Sequence, residues 1–224
     1  MSVNVVIKFI EKFILDVVGV ILPGLFLLVG LKCVFSAAIS NELMSEDLIK
    51  IFNFGDNNFV IYVSLCYICG HGLHVIGDKF LYPLFSKVSR KEVYKSDKLF
   101  DQYLVKEFKS LFFKKYKNMA SPEGDFKFNN LRSIALAIAP DSEMLTYKFM
   151  FISLMNLGIA SASLCVGVVS LLLLKINIGI AILCFLLLSL VIPTIFLLKY
   201  IEFRNRALTV PFSFAVVKIL QEVN

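Results

Sequence analysis

The chain has 224 residues, of which 58% are hydrophobic and only 18% are charged, and its mean hydropathy is +0.79. This composition excludes an ordinary soluble globular domain, which carries more charge and less apolar side chain. The apolar residues gather in runs long enough to cross a bilayer, which takes about 20 helical residues. We therefore predict an all-α, polytopic membrane protein.

The first apolar run extends from about residue 10 to residue 39. It is too long for a signal peptide, and Glu11 and Asp16 lie where such a peptide is purely basic. We expect an uncleaved first transmembrane helix. It should be kinked or locally unwound near Pro23, because proline has no backbone N–H to donate.

The second predicted span runs from residue 59 to about residue 77, and residues 1–77 form the first transmembrane hairpin. Asp56-Asn57-Asn58 offers good helix N-caps for this span. No stop signal follows at the membrane edge. We expect the helix to continue past Asp78 and Lys79 until Pro83 bends or ends it.

Residues 78–148 have a different composition, with fourteen Lys or Arg against nine Asp or Glu. Apolar side chains recur at three- and four-residue steps in 97–117, which predicts an amphipathic helix. A shorter helix is expected over 129–138. Pro140-Asp141-Ser142 then opens another helix, with Asp141 or Ser142 as its N-cap. The segment is predicted to be a helical insert between two membrane hairpins.

Residues 149–199 form the predicted second hairpin, with spans over about 149–174 and 178–198. The tail, 200–224, contains an amphipathic stretch from Phe212 to Val223 after Pro211. Basic residues concentrate in the N-terminal segment, the insert and the tail, whereas each hairpin connection has a single lysine, Lys50 or Lys175. By the positive-inside rule, both termini and the insert face the cytoplasm.

Four polar residues in or beside the spans are candidate functional residues, because ionisable groups in hydrocarbon are costly without partners. They are Asp16, His71, His74 and Asp78. Asp16 is the expected partner of His74, or less favourably of His71, in a structural hydrogen bond that fixes the first hairpin. A functional pair, which would sense or conduct protons, is the alternative.

Cys66, Cys69, His71 and His74 resemble a string of metal ligands, but one straight helix cannot direct all four to the same ion. We predict no metal and no cofactor, and the two cysteines are interpreted as helix-packing residues. The five cysteines all lie in apolar runs, so no disulfide is expected. They are Cys33, Cys66, Cys69, Cys165 and Cys184.

Small residues allow helices to approach closely in lipid. The candidate packing positions are Gly70, Gly72, Gly77, Gly158, Ser161 and Ala162. The basic and aromatic helix of the insert is a candidate surface for lipid headgroups or a partner protein, although an ordinary packed helix has the same pattern. Its candidate residues are Lys106, Lys109, Lys114, Lys115 and Lys117.

The sequence contains no dinucleotide fingerprint, phosphate-binding loop, nucleophile elbow or metalloprotease spacing. With two histidines in the whole chain, His-based chemistry has few ligands to draw on. We predict that the protein is not an enzyme and does not bind nucleic acid directly.

Three features together resemble small four-span membrane proteins of bacterial anti-phage systems, such as the Kiwa membrane components. They are Pro23-Gly24 in the first span, Tyr67-x-x-Gly70-His71 in the second, and the Ala-rich entry to the third span, 135–143. The resemblance implies a sensor or effector in the inner (cytoplasmic) membrane that works with a cytosolic partner.

We therefore expect a homo-oligomeric antiviral protein that senses or perturbs the membrane and contacts lipids through its spans. Relative motion of the hairpins would reach the insert through the second span and its continuing helix. The alternative is a small oligomeric channel or a proton-linked transporter that uses Asp16 and the histidines.

Overall fold

Helices account for nearly all of the described chain. The computed structural model describes residues 3–39, 59–89, 93, 102–116, 128–174 and 180–223. Within them 96% of residues are helical and no strand occurs, so the all-α prediction is confirmed. The helices are α1 (Val3–Ile39), α2 (Phe59–Ile76), α3 (Tyr82–Ser89), α4 (Tyr103–Lys115), α5 (Phe128–Ile138), α6 (Ser142–Leu174) and α7 (Ile180–Val223).

Four helical stretches are long and apolar enough to cross a membrane. They are Ile10–Ala37, Phe59–Ser89, Ser142–Leu174 and Ile182–Glu222. This agrees with the predicted number of spans and identifies a multi-pass membrane protein. The connections that hold Lys50, Asp56 and Lys175 lie outside the described residues.

Two of the long helices continue through proline. Helix α1 is not unwound at Pro23, contrary to one form of the expectation, and α7 runs unbroken through Pro193 and Pro211. The amphipathic stretch after Pro211 is therefore the end of α7 and not a separate helix. In a span, an unwound turn would expose several backbone groups to hydrocarbon, whereas a proline within an intact helix leaves one carbonyl without its donor.

Between α2 and α3, Gly77–Leu81 forms a π-helical turn. The N–H of Tyr82 bonds to the carbonyl of Gly77, five residues back. The helix therefore continues past Asp78 and Lys79 as predicted, but Pro83 does not end it, since α3 extends to Ser89. The wider turn already interrupts the α-helical pairing just before Pro83, so the missing proline N–H costs little there.

The chain divides into two compact units. The membrane unit comprises residues 1–91 and 151–200, and the second unit comprises residues 92–150 and 201–224. Helices α6 and α7 each contribute to both. The second unit thus combines the predicted insert from residue 92 onward with the end of α7, whereas residues 78–91 of the predicted insert belong to the membrane unit.

The membrane unit is packed through small side chains and one apolar cluster. Val34 of α1, Val166 and Leu173 of α6 and Ile182 of α7 are buried together in that cluster. Close packing of this kind holds helices together in lipid, where burial of apolar surface gives little driving force. The arrangement brings α1, α6 and α7 into mutual contact.

The second unit has a hydrophobic core of its own. Phe108 of α4 and Phe212 of α7 are fully buried, and their rings meet edge to face at a centroid distance of 5.4 Å. Leu131 and Ala135 of α5 complete the contact. Offset aromatic pairs contribute about 0.5–1.5 kcal/mol beyond the area that they bury. This core depends on residues separated by about a hundred positions in the chain.

Phe108→Ala should lower the free energy of unfolding of the second unit by about 3–5 kcal/mol, because it leaves a cavity in a fully packed core. Phe214→Ala is the matched control, since Phe214 lies on α7 but is 41% exposed. The measurement is the unfolding of the purified full-length protein, and its readout is the protease susceptibility of residues 102–150. Equal effects of the two substitutions would contradict this core.

Candidate functional site

Pro23 lies in the middle of α1 and is fully buried. In an α-helix the N–H of residue 23 would bond to the carbonyl of residue 19. Proline has no N–H, so the carbonyl of Gly19 loses its donor within the helix. Inside a bilayer no water replaces it, and an unpaired carbonyl there costs several kcal/mol. The carbonyl of Gly19 therefore needs a hydrogen-bond donor from outside α1.

His74 of α2 supplies this donor. Its imidazole hydrogen-bonds the backbone of Gly19. The carbonyl is the accepting group, because an imidazole N–H is a donor and the Gly19 carbonyl is the one that Pro23 leaves without a partner. A side chain of one span thus completes the backbone hydrogen bonding of another. This pairing defines the candidate site.

Gly158 of α6 closes the site from a third helix. A Cβ atom at Gly158 would lie 2.6 Å from Cγ of Pro23 and 3.1 Å from Cε1 of His74, so only glycine fits there. The Nδ1 atom of His74 is buried and has no hydrogen-bond partner among the described residues. The proline–histidine cluster, as we name Gly19, Pro23, His74 and Gly158, therefore contains one unused polar atom.

The other candidate polar residues lie outside this cluster. Asp16 is exposed, and no described contact joins it to His74, so the expected Asp16–His74 pair is not formed. His71 is also exposed, and its ring meets Tyr67 edge to face at 4.6 Å. Asp78 is exposed in the π-helical turn. Matching of charges predicted a carboxylate partner for His74, whereas the structure uses a neutral backbone acceptor.

Glycines bring α1 and α2 into backbone contact next to the cluster. A Cβ at Gly24 would overlap the carbonyl of Cys66, and a Cβ at Gly70 would overlap the carbonyl of Val20. Cys66 is fully buried at this crossing, as its interpretation as a packing residue predicts. The two helices therefore touch through their main chains at two points.

Helix α6 also packs closely on the π-helical turn, here with side chains against a glycine. A Cβ at Gly77 would lie 2.6 Å from Cγ of Leu157 and 2.6 Å from Oγ of Ser161. Ser161 and Ala162 are fully buried. The expectation is wrong at Gly72, where nothing lies within 4 Å of an added Cβ. Gly72 is on the side of α2 that carries His71 and faces away from its neighbours.

The cysteines and histidines of α2 do not converge. Cys66 is buried, Cys69 is half-buried and His71 is exposed, as helical geometry predicts. Within the described ranges, no group of three or more His, Cys, Asp or Glu side chains is placed to hold a metal ion. All five cysteines are free.

A cavity of about 550 Å³ lies among α1, α6 and α7 of the membrane unit. Its wall is apolar except for a few small groups, among them Ser163 and Ser189. Ser189 packs on Gly167 and donates its hydroxyl to the carbonyl of Leu186. The cavity can accommodate hydrocarbon, but it offers few oxygen atoms to a passing ion.

The lysines of the predicted basic surface of α4 differ in exposure. Lys106 and Lys114 are exposed and Lys109 is half-buried, whereas Lys117 lies outside the described residues. Lys115 forms an ion pair with Glu222 of α7 and lies 5.5 Å from the ring centre of Tyr116. Lys115 therefore joins two helices of the second unit.

The Lys115–Glu222 pair is pH-dependent. The hydrogen bond to Lys115 lowers the pKa of Glu222, and the same bond raises the pKa of Lys115. The pair thus stabilises the folded unit at neutral pH. Its contribution is lost in acid as Glu222 protonates, and in strong base as Lys115 loses its proton. Glu222 is exposed and Lys115 is partly exposed, so the effect is small.

Comparison of the chain with protein-family models, with curated proteins and with solved structures found no match. The function of the site therefore rests on its own geometry.

Gly70→Ala should destabilise the membrane unit by about 1–3 kcal/mol, because the added methyl group meets the backbone of Val20. Gly72→Ala is the matched control on the same helix. It should be neutral or stabilising by up to about 1 kcal/mol, since alanine favours a helix and the position is open. The thermal midpoint of the protein in detergent checks both, and a similar shift for the two would contradict the contact.

His74→Ala should destabilise the protein by about 1–3 kcal/mol, because it leaves the Gly19 carbonyl buried without a donor. In a Pro23→Ala background the same substitution should cost less, since an alanine at that position supplies the missing N–H within α1. The coupling free energy, measured by unfolding all four proteins of the cycle, should be about 0.5–3 kcal/mol. His71→Ala should show no coupling to Pro23, and additive effects for His74 would contradict the bond.

Proposed function

We propose that this protein is a membrane-anchored sensor or effector of bacterial antiviral defence, which passes a change in the bilayer to a cytosolic partner through its second unit. The observation that carries the proposal is the separate hydrophobic core of that unit, built on Phe108 and Phe212. Four spans need only short connections to fold in a membrane. A packed unit in addition to the membrane unit supports a role in binding.

The surface of the second unit supports a protein partner. Phe214, Val217 and Leu220 follow one another along α7 and are 41%, 54% and 41% exposed. We call these three residues the apolar stripe. Exposed apolar patches on a folded surface often mark interaction sites. Exposed Lys106 and Lys114 on α4 add positive charge to the same unit.

The excess of Lys and Arg in the insert and the tail supports a cytoplasmic location for the second unit, with the spans in the inner membrane. Helices α6 and α7 have residues in both units. A displacement of either helix in the bilayer therefore has a covalent, helical route to the partner surface. In this proposal the movement reaches the second unit through α6 and α7, whereas the sequence predicted a route through the second span. The place in antiviral defence comes from the sequence resemblance.

Expressing the chain with its genomic neighbours in a phage-sensitive host tests this proposal. We expect at least a tenfold reduction in plaque count and co-purification of a cytosolic protein. Val217→Glu should abolish both, because it places a charge in the apolar stripe, whereas Ala137→Glu at an exposed position of α5 should abolish neither. Undiminished protection and partner recovery with Val217→Glu would contradict the assignment of the surface.

A second candidate function is proton-linked transport, and the unpartnered Nδ1 of His74 favours it. A buried ionisable side chain in a span is often part of a proton path. The apolar wall of the cavity among α1, α6 and α7 argues against an ion pathway there. We expect no pH-driven flux in proteoliposomes that contain the purified protein. A flux that disappears in His74→Ala would replace the sensor proposal with transport.

A further inference from the structure

Two arginines of the second unit lie close enough for their positive charges to interact, and the described residues give them no acidic partner. Arg132 is on α5 and Arg204 is on α7, and both side chains are half-buried. The Nε atom of Arg132 is buried and makes no hydrogen bond, and the guanidinium of Arg204 contacts the sulfur of Met150. Neither arginine forms an ion pair with a carboxylate among the described residues.

The neighbouring cations behave differently. Arg206 pairs with Glu202 one turn away at 2.6 Å and lies 5.7 Å from the ring centre of Phe203, while Lys115 pairs with Glu222. Like charges that share a half-buried site normally have a counter-ion, because bringing them together costs free energy. Arg132 and Arg204 therefore lack a counter-ion among the described residues.

The electrostatic environment of Arg132 favours the binding of an anion. Burial and the positive charge of Arg204 lower the pKa of Arg132. Each cause disfavours the charged guanidinium, and the negative charge of a bound anion would offset both. Thr146 adds a third polar group: its hydroxyl is buried and has no hydrogen-bond partner in the described part of the chain. Thr146 lies one turn before Met150, the residue that Arg204 contacts, so both are on the same face of α6.

We propose that Arg132 and Arg204 together bind a phosphate group, with the hydroxyl of Thr146 as an additional donor. The planar guanidinium forms two parallel hydrogen bonds to a phosphate, and two guanidiniums can clamp one phosphate from different helices. The ligand would join α5 to α7 and thereby stabilise the second unit. This inference does not depend on the proposed function.

The position of Arg204 along α7 indicates where the phosphate comes from. The apolar run of α7 ends at Leu198, and Arg204 follows six residues later, about 9 Å farther along the helix. Lipid headgroups occupy about 5–7 Å beyond each face of the hydrocarbon core. The phosphate of an anionic lipid is therefore within reach of Arg204, and a soluble phosphate is the other source of the same chemistry.

The test uses the full-length protein in nanodiscs of phosphatidylcholine alone or with phosphatidylglycerol added. We expect phosphatidylglycerol to raise the thermal midpoint of the wild type by several degrees. Arg132→Gln and Arg204→Gln should remove most of this rise, and Arg206→Gln, the matched control, should keep it. If about 10 mM inorganic phosphate in phosphatidylcholine nanodiscs gives the same Arg132-dependent rise, the site is supported and its ligand is soluble.

A measurement on the wild type covers the case in which an arginine variant fails to fold. Phenylglyoxal modifies arginine side chains, and peptide mass spectrometry reads each position separately. Phosphatidylglycerol or phosphate should protect Arg132 and Arg204 at least threefold relative to Arg206. Equal modification of the three arginines with and without both ligands would overturn the proposal. So would a thermal rise that all three glutamine variants retain.

Discussion

A single missing hydrogen bond organises the membrane unit. Pro23 leaves the carbonyl of Gly19 without a donor, in a medium where water cannot supply one. The donor comes from His74, which ties α1 to α2 at a defined depth and rotation. Glycine at position 158 is then required by geometry, since no side chain fits beside Pro23 and His74. One missing backbone hydrogen bond thus positions α1, α2 and α6 relative to one another.

The two units solve different packing problems. In the membrane unit, glycine allows main chains to touch, as Gly24 does at Cys66, because lipid gives little hydrophobic drive to helix association. In the second unit, Phe108 and Phe212 bury large rings, which is the ordinary way to stabilise a helical core. Helices α6 and α7 change from one kind of packing to the other along their length.

Periodicity and length were enough to predict the spans, the helices near 103–115 and 128–138, and the entry to α6 at Ser142, because these depend on local pattern. The partner of His74 could not be found by matching charges. A signal was nevertheless present: a proline in a span identifies the unpaired carbonyl four residues earlier. The prediction for Gly72 was wrong because composition cannot tell which side of a helix has a neighbour. The core of the second unit was missed because Phe108 and Phe212 meet only through the tertiary fold.

The π-helical turn at Gly77–Leu81 sets the rotational phase of α3. Such a turn holds one residue more than an α-helical turn at the same height, so it rotates α3 by about 100° relative to α2. That rotation faces Tyr82 towards Tyr200, with their ring centroids 5.3 Å apart. The contacts of α2 with α1 precede the turn and are unaffected by it. The turn therefore separates the orientation of α3 from the packing of α2.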